Sequence, residues 1–157
     1  MTVQSTGKLG VNFSDDTASA RFALGEVVSA EGGRQMQYVQ AGSAVAANLW
    51  VCIDSDDKAY PLTKARVDDG QSVGVAESAL TINQYGWITM TGRNVNAAVG
   101  ASCAADVALY TSATAGVLDD TSTSQTKIDG VVAAAANGTA AQANVEVIMT
   151  WPKSTTF

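Results

Sequence analysis

No histidine occurs among the 157 residues. That absence removes the commonest general base, the usual serine and cysteine triads and most zinc sites together. Charge is scarce as well, at 15% of residues against roughly 25% in an ordinary soluble domain. The nine Lys and Arg residues are scattered singly, so no basic patch is available to displace counterions from a nucleic-acid backbone. There is no apolar run of the ~20 residues that a membrane helix needs, and "MTVQSTGKLGVNF" has no apolar stretch long enough for a signal peptide. The expectation is a chain made in the cytoplasm, with no membrane and no nucleic acid as partner. The two cysteines, Cys52 and Cys103, make neither a disulfide framework nor a CxxC metal motif. Cys52, inside "LWVCI", reads as a buried thiol acting as a small hydrophobe.

What the chain does have is Ala, Ser, Thr and Gly around short runs of β-formers, broken by turn residues about every ten positions, the pattern of an all-β sandwich or barrel. In "RQMQYVQA", Met36 and Tyr38 share one face and Gln35 and Gln37 the other, so a half-buried strand is expected. "EGGR" closes a hairpin spanning about 22–41, with Gly32 and Gly33 supplying positive φ. "LWVCID" reads as a buried strand that "SDDK" turns towards "AYPLT", where Pro61 marks a strand end. "VDDGQ" is a further turn. In "SVGVAES", Gly74 signals close backbone approach or a bend. "YGWITMTGR" is a strand between the pivots Gly86 and Gly92, with Trp87 and Thr89 facing away from Ile88 and Met90. "DVALYT", "TKIDGVVAAAAN" and "ANVEVIMTWP" follow as strands, the last with Val145, Val147, Met149 and Trp151 alternating, and Gly116 turns "ATAGVLDD". A helix across "VVAAAAN" is the competing reading, since alanine has the best helix propensity.

Catalytic candidates reduce to carboxylates: Asp54, Asp56, Asp57, Asp68 and Asp69, all in turns, where aspartate usually bonds its own backbone. "DSDDKAY" invites calcium, but an EF-hand loop counted from Asp54 needs glycine at Ala59 and glutamate at Ala65. No phosphate loop, dinucleotide fingerprint or nucleophile elbow is present. The sequon-like triplets at Asn12 and Asn137 are read as chance. The residues point away from an enzyme and require no cofactor or metal. Residues 1–21 differ in kind, with scattered apolar positions, and are expected to form an extended N-terminal arm ahead of one β-barrel or sandwich domain over 22–157.

The succession "ARFALGEVVSAEGGRQMQYVQAGSAV", "DGQSVGVAES", "YGWITMTGR", "CAADVALYTSATAGVLDD", "IDGVVAAA" and "VIMTWP" resembles a family of small tailed-bacteriophage head proteins, the capsid decoration or cement proteins. The resemblance covers residues 20 to 152. It implies a compact β-barrel or sandwich on the outer surface of the virion head, with the major capsid protein and its own homodimer or homotrimer as partners. It carries no catalytic motif. A low-charge face rich in Ala, Ser and Thr suits close contact with another protein. Contact candidates are the apolar arm positions Val3, Leu9, Val11 and Phe13, together with Tyr38, Trp50, Tyr60 and Trp151 wherever these aromatics are exposed. The alternative is a head-fibre or receptor-binding module of the same kind of particle, which would show an aromatic cleft for carbohydrate.

Overall fold

The structure is a computed structural model, and it describes residues 12–14 and 16–155. Strands Val27–Ala30 (β1) and Arg34–Ala41 (β2) form the expected antiparallel hairpin through Glu31–Gly33. Both glycines of its turn sit at φ +75, where an L side chain is rarely found. Leu49–Ile53 (β3) and Lys58–Pro61 (β4) follow, with Pro61 at the strand end. Ser72–Ala76 (β5) then leads to Tyr85–Val99 (β6). Ala108–Thr111 (β7), Leu118–Asp119 (β8), Lys127–Ala133 (β9) and Ala143–Ser154 (β10) complete the sheet.

The strands close on themselves. β2, β4, β3, β5 and β6 form a five-stranded barrel because β6 returns to pair with β2. β6 then continues into a second circuit through β10, β9, β7 and β8, which meets β6 again at the bridge between Val99 and Leu118. Its first half belongs to the barrel and its second half to the other circuit. The handover falls at Gly92–Asn94, where the register against β10 slips between Val147 and Met149 and Asn94 takes φ +56. The sequence reading placed Gly92 at a strand boundary. Instead the strand runs to Val99, because a glycine bends a β-wall without breaking it and Ala97, Ala98 and Val99 are small enough to bury completely.

Three clusters of side chains hold these walls together. Val39, Val51, Ile53, Ile88 and Met90 fill the barrel. Trp50, Cys52, Val73 and Val75, on the opposite faces of β3 and β5, pack with Val95, Leu109, Leu118, Ile128, Val147 and Met149 of the second circuit. β3 therefore lies between two cores, which is why "LWVCI" is apolar at every position. Gly74 is the contact point read from sequence: a Cβ there would stand 2.5 Å from Ile88 Cγ2 and 2.8 Å from Met90 Sδ. The third cluster, Val28, Met36, Tyr38 and Trp87, packs against Phe13, Phe22 and Tyr85.

One local expectation holds against its alternative, and one needs correction. "VVAAAAN" is β9 as far as Ala133, paired with β10 and β7, and no helix forms there. A short helix, Lys64–Asp68 (α1), precedes the turn at Asp69–Gly70, where only a turn was expected. Five residues carry too little periodicity to register as helix, and buried Val67 is its one core anchor. As for the arm, residues 1–11 and 15 lie outside the described residues. Among the described residues of the segment, Phe13, Thr17 and Arg21 touch its own barrel. Phe13 meets Trp87 edge-on at 5.5 Å, Thr17 bridges to Tyr85, and the Tyr38 hydroxyl accepts from the Arg21 amide at 3.0 Å.

Candidate functional site

Two loops meet at one end of the second circuit: residues 101–107, between β6 and β7, and 134–142, between β9 and β10. The pairing that brings them together is that of Ala143 with Val99. Asn137 organises the end. It is 3% exposed and uses its whole amide: Nδ2 donates to the carbonyls of Gly100 at 2.7 Å and Ala141 at 2.8 Å, while Oδ1 accepts from Thr139 N at 3.0 Å and Thr139 Oγ1 at 2.8 Å. Its backbone amide reaches Cys103 O at 2.8 Å, and Ser102 N reaches Thr139 O at 2.9 Å. A buried amide satisfied on both ends fixes a loop without apolar burial. The 134–142 face it shapes is small and neutral: Ala135, Ala136, Gly138, Thr139, Ala140 and Ala141 are exposed, whereas the neighbouring 101–107 loop exposes Asp106 and its Ala104 amide donates to Asp120 Oδ2 at 2.9 Å. No charged residue stands between Asp129 and Glu146 in sequence. The side chain that sequence reasoning passed over as a chance sequon is thus the one that holds this end. The signal for it was present in "NGT", a turn-forming Asn beside glycine inside an uncharged stretch.

The structure distributes the candidate contact residues unevenly. Val3, Leu9 and Val11 lie outside the described residues. Phe13 is half-buried on Trp87. Tyr38 and Trp50 are core residues and offer no surface to a partner: Trp50 is fully buried, with its indole N–H donating to Ala98 O at 2.9 Å. A large ring in a chain with few aromatics is most useful filling space between β-layers. Tyr60 is half-buried, its ring lying over Gly42 and under the Arg66 guanidinium at 3.7 Å. Trp151 differs from these. It is 41% exposed and lies in the left-handed region at φ +44, directly before Pro152. The expected alternation of β10 therefore fails at its last member. The cause is a bulge in which Thr150, Trp151 and Pro152 oppose Gly130 alone. Gly130 itself takes φ +80, and a Cβ there would come within 2.5 Å of Thr150 O.

Of the carboxylates expected in turns, Asp54, Asp56, Asp57 and Asp69 lie there, whereas Asp68 is the last residue of α1. Asp54 Oδ1 accepts from the amides of Asp56 at 3.0 Å and Lys58 at 2.9 Å, and Asp57 accepts from Gln37 Nε2 at 2.8 Å. Hydrogen bonds from Lys64 and Thr126 hold the Asp68 carboxyl below its usual range. Among the described residues, the one close group of possible metal ligands lies away from "DSDDKAY": Cys103, Asp119 and Asp120, with ligand atoms within 4.8 Å of one another. Burial lifts the Asp119 carboxyl, with Asp120 beside it. Burial also pushes both thiols to about 11, Cys103 with added repulsion from Asp120 and Asp119. At neutral pH both cysteines are protonated and unreactive.

Set against protein-family models, curated proteins and solved structures, the chain matches none.

Proposed function

We propose that this is a structural virion protein that binds the outer surface of a phage head and bridges major capsid subunits, stabilising the shell. The observation that carries the reading is the neutral end around Asn137. The 134–142 loop, made of alanine, glycine, threonine and amides, carries no ion of its own to desolvate and is already held in shape before contact, with Asp106 at its margin. Each copy seated across a junction between subunits favours the assembled state by linkage, and repetition over the shell multiplies a modest single contact. A homodimer or homotrimer on a local symmetry axis would present several such ends at once. No reactive group is required.

The test is a double substitution, Ala135→Glu with Ala140→Glu, assayed by co-sedimentation with assembled empty heads. Wild-type protein should sediment with heads. The double variant should melt as the wild type does and remain in the supernatant, because exposed loop changes barely affect stability while buried charges oppose docking. Equal sedimentation of the variant, or failure of the wild type to sediment, would overturn the proposal.

A further inference from the structure

β10 begins at the neutral end and reaches Trp151 eight residues further on, a separation of about 25 Å along a strand. The two surfaces are therefore too far apart for one small contact. At the Trp151 end, β2, β6 and β10 lie side by side with Gln35, Thr91 and Thr150 in lateral register. The indole N–H donates to Gln35 Oε1 at 3.2 Å. Among the described residues no partner takes up Gln35 Nε2, which leaves an amide donor at the edge of the ring, and Thr150 is exposed beside it. Of the charges nearby, Arg34 pairs with Glu77 at 2.6 Å and Lys127 with Asp129 at 3.0 Å, while Lys153 and Arg93 are exposed two residues beyond Trp151 and Thr91.

We infer that Trp151 is the platform of a carbohydrate-binding site, with Gln35 and Thr150 supplying hydrogen bonds to sugar hydroxyls. Three observations converge. First, the ring is held open by a left-handed backbone that a bulky residue avoids and that the bulge opposite Gly130 enforces; backbone strain of this kind persists where the surroundings impose it and gathers at binding sites. Second, the indole is fixed by its own hydrogen bond, so a flat apolar face is ready without ordering cost. Third, its neighbours in register are neutral amides and hydroxyls. A protein hot spot would be ringed by apolar contacts that exclude water. A sugar ring has one face of C–H groups to stack on an aromatic and a rim of hydroxyls to satisfy, and that combination matches this row. The inference stands on Trp151 and does not depend on attachment to a shell.

The probe is an array of neutral tetrasaccharides of glucose, galactose, mannose and N-acetylglucosamine, followed by titration of any binder with tryptophan fluorescence as the readout. Trp50 and Trp87 are buried, so the solvent-facing emission belongs to Trp151 and should shift to the blue as sugar covers the ring. Trp151→Ala should lose binding by about tenfold or more, Trp151→Phe should retain part of it, and Gln35→Ala should weaken it to a smaller extent. Trp151→Gly serves as the control for folding: it should melt at or above the wild-type temperature, since glycine accepts that φ, and still lose the sugar. The inference is overturned if no tetrasaccharide binds the wild type, or if Trp151→Ala and Trp151→Gly bind as well as it does. It is equally overturned if Trp151 substitutions leave sugar binding intact and instead abolish sedimentation with heads or binding to phosphatidylcholine vesicles.

Discussion

The aromatic wall and the neutral end are built on opposite principles. Over β1, β2 and the first half of β6, the rings of Phe13, Phe22, Tyr38, Tyr85 and Trp87 interlock, with Tyr38 and Trp87 centroids 4.9 Å apart. Around residues 101–107 and 134–142 there is no ring at all, and order comes from one asparagine and the carbonyls it bonds. The first region derives its stability from buried area. The second derives its shape from satisfied polar groups and leaves its surface free of large side chains. The lesson is that the residues most visible in the sequence as contact anchors, the aromatics, are largely used up inside, and the least conspicuous stretch is left to face outward.

The sharpest way to break this comparison is at Trp87. Trp87→Ala should cost about 3–5 kcal/mol, since the ring is 3% exposed and touches Phe13, Phe22 and Tyr38. Chemical denaturation measures it, and a near-neutral midpoint would show that the wall is not held by its rings. Next comes Asn137→Ala, which strands the Gly100 and Ala141 carbonyls and should cost about 2 kcal/mol. It should also loosen protection of loop amides 138–142 against hydrogen exchange while those of β2 stay as they were. If protection falls everywhere equally, the two regions are a single cooperative unit and the contrast fails.

The smallest effect concerns pH. Burial raises the folded-state pKa of Asp119 above its ordinary 3.8, so the folded chain holds that proton more tightly than the unfolded one. Ionisation at neutral pH therefore weakens the fold, and acidification through the raised pKa down to the ordinary value restores stability. Asp119→Asn should raise the melting temperature slightly at pH 7 and remove that gain on acidification. Asp68 acts with the opposite sign: its carboxyl is lowered by the hydrogen bonds from Lys64 and Thr126, so its contribution is present above the ordinary value and lost as pH falls through the folded one. Identical melting profiles for the wild type and Asp119→Asn between pH 4 and 7 would show that the Asp119 carboxyl is not desolvated.

Much of the fold could be read from local pattern, because hairpins and strands are signalled by neighbours in sequence. The Gly32–Gly33 turn, the doubly buried "LWVCI", the close approach at Gly74 and the strand at "ANVEVIMTWP" all follow from residues within ten positions of one another. The path of β6 through Gly92 was not legible, since whether a glycine ends a strand or bends it depends on what stands on either side. Nor was the separation of Trp50 from Trp151. Both sit in apolar runs, yet one lies between two cores and the other on a bulge created by a glycine twenty-one residues away.

The sequence by itself determined the class of the molecule: all-β, poor in charge, without histidine, and with one long uncharged stretch before its last strand. Only the tertiary structure decided which side chains remain available. Closing β6 into two circuits buries Tyr38 and Trp50, turns Asn137 inward and lifts Trp151 into solvent. Burial is a property of packing between segments distant in the chain, and no local pattern carries it.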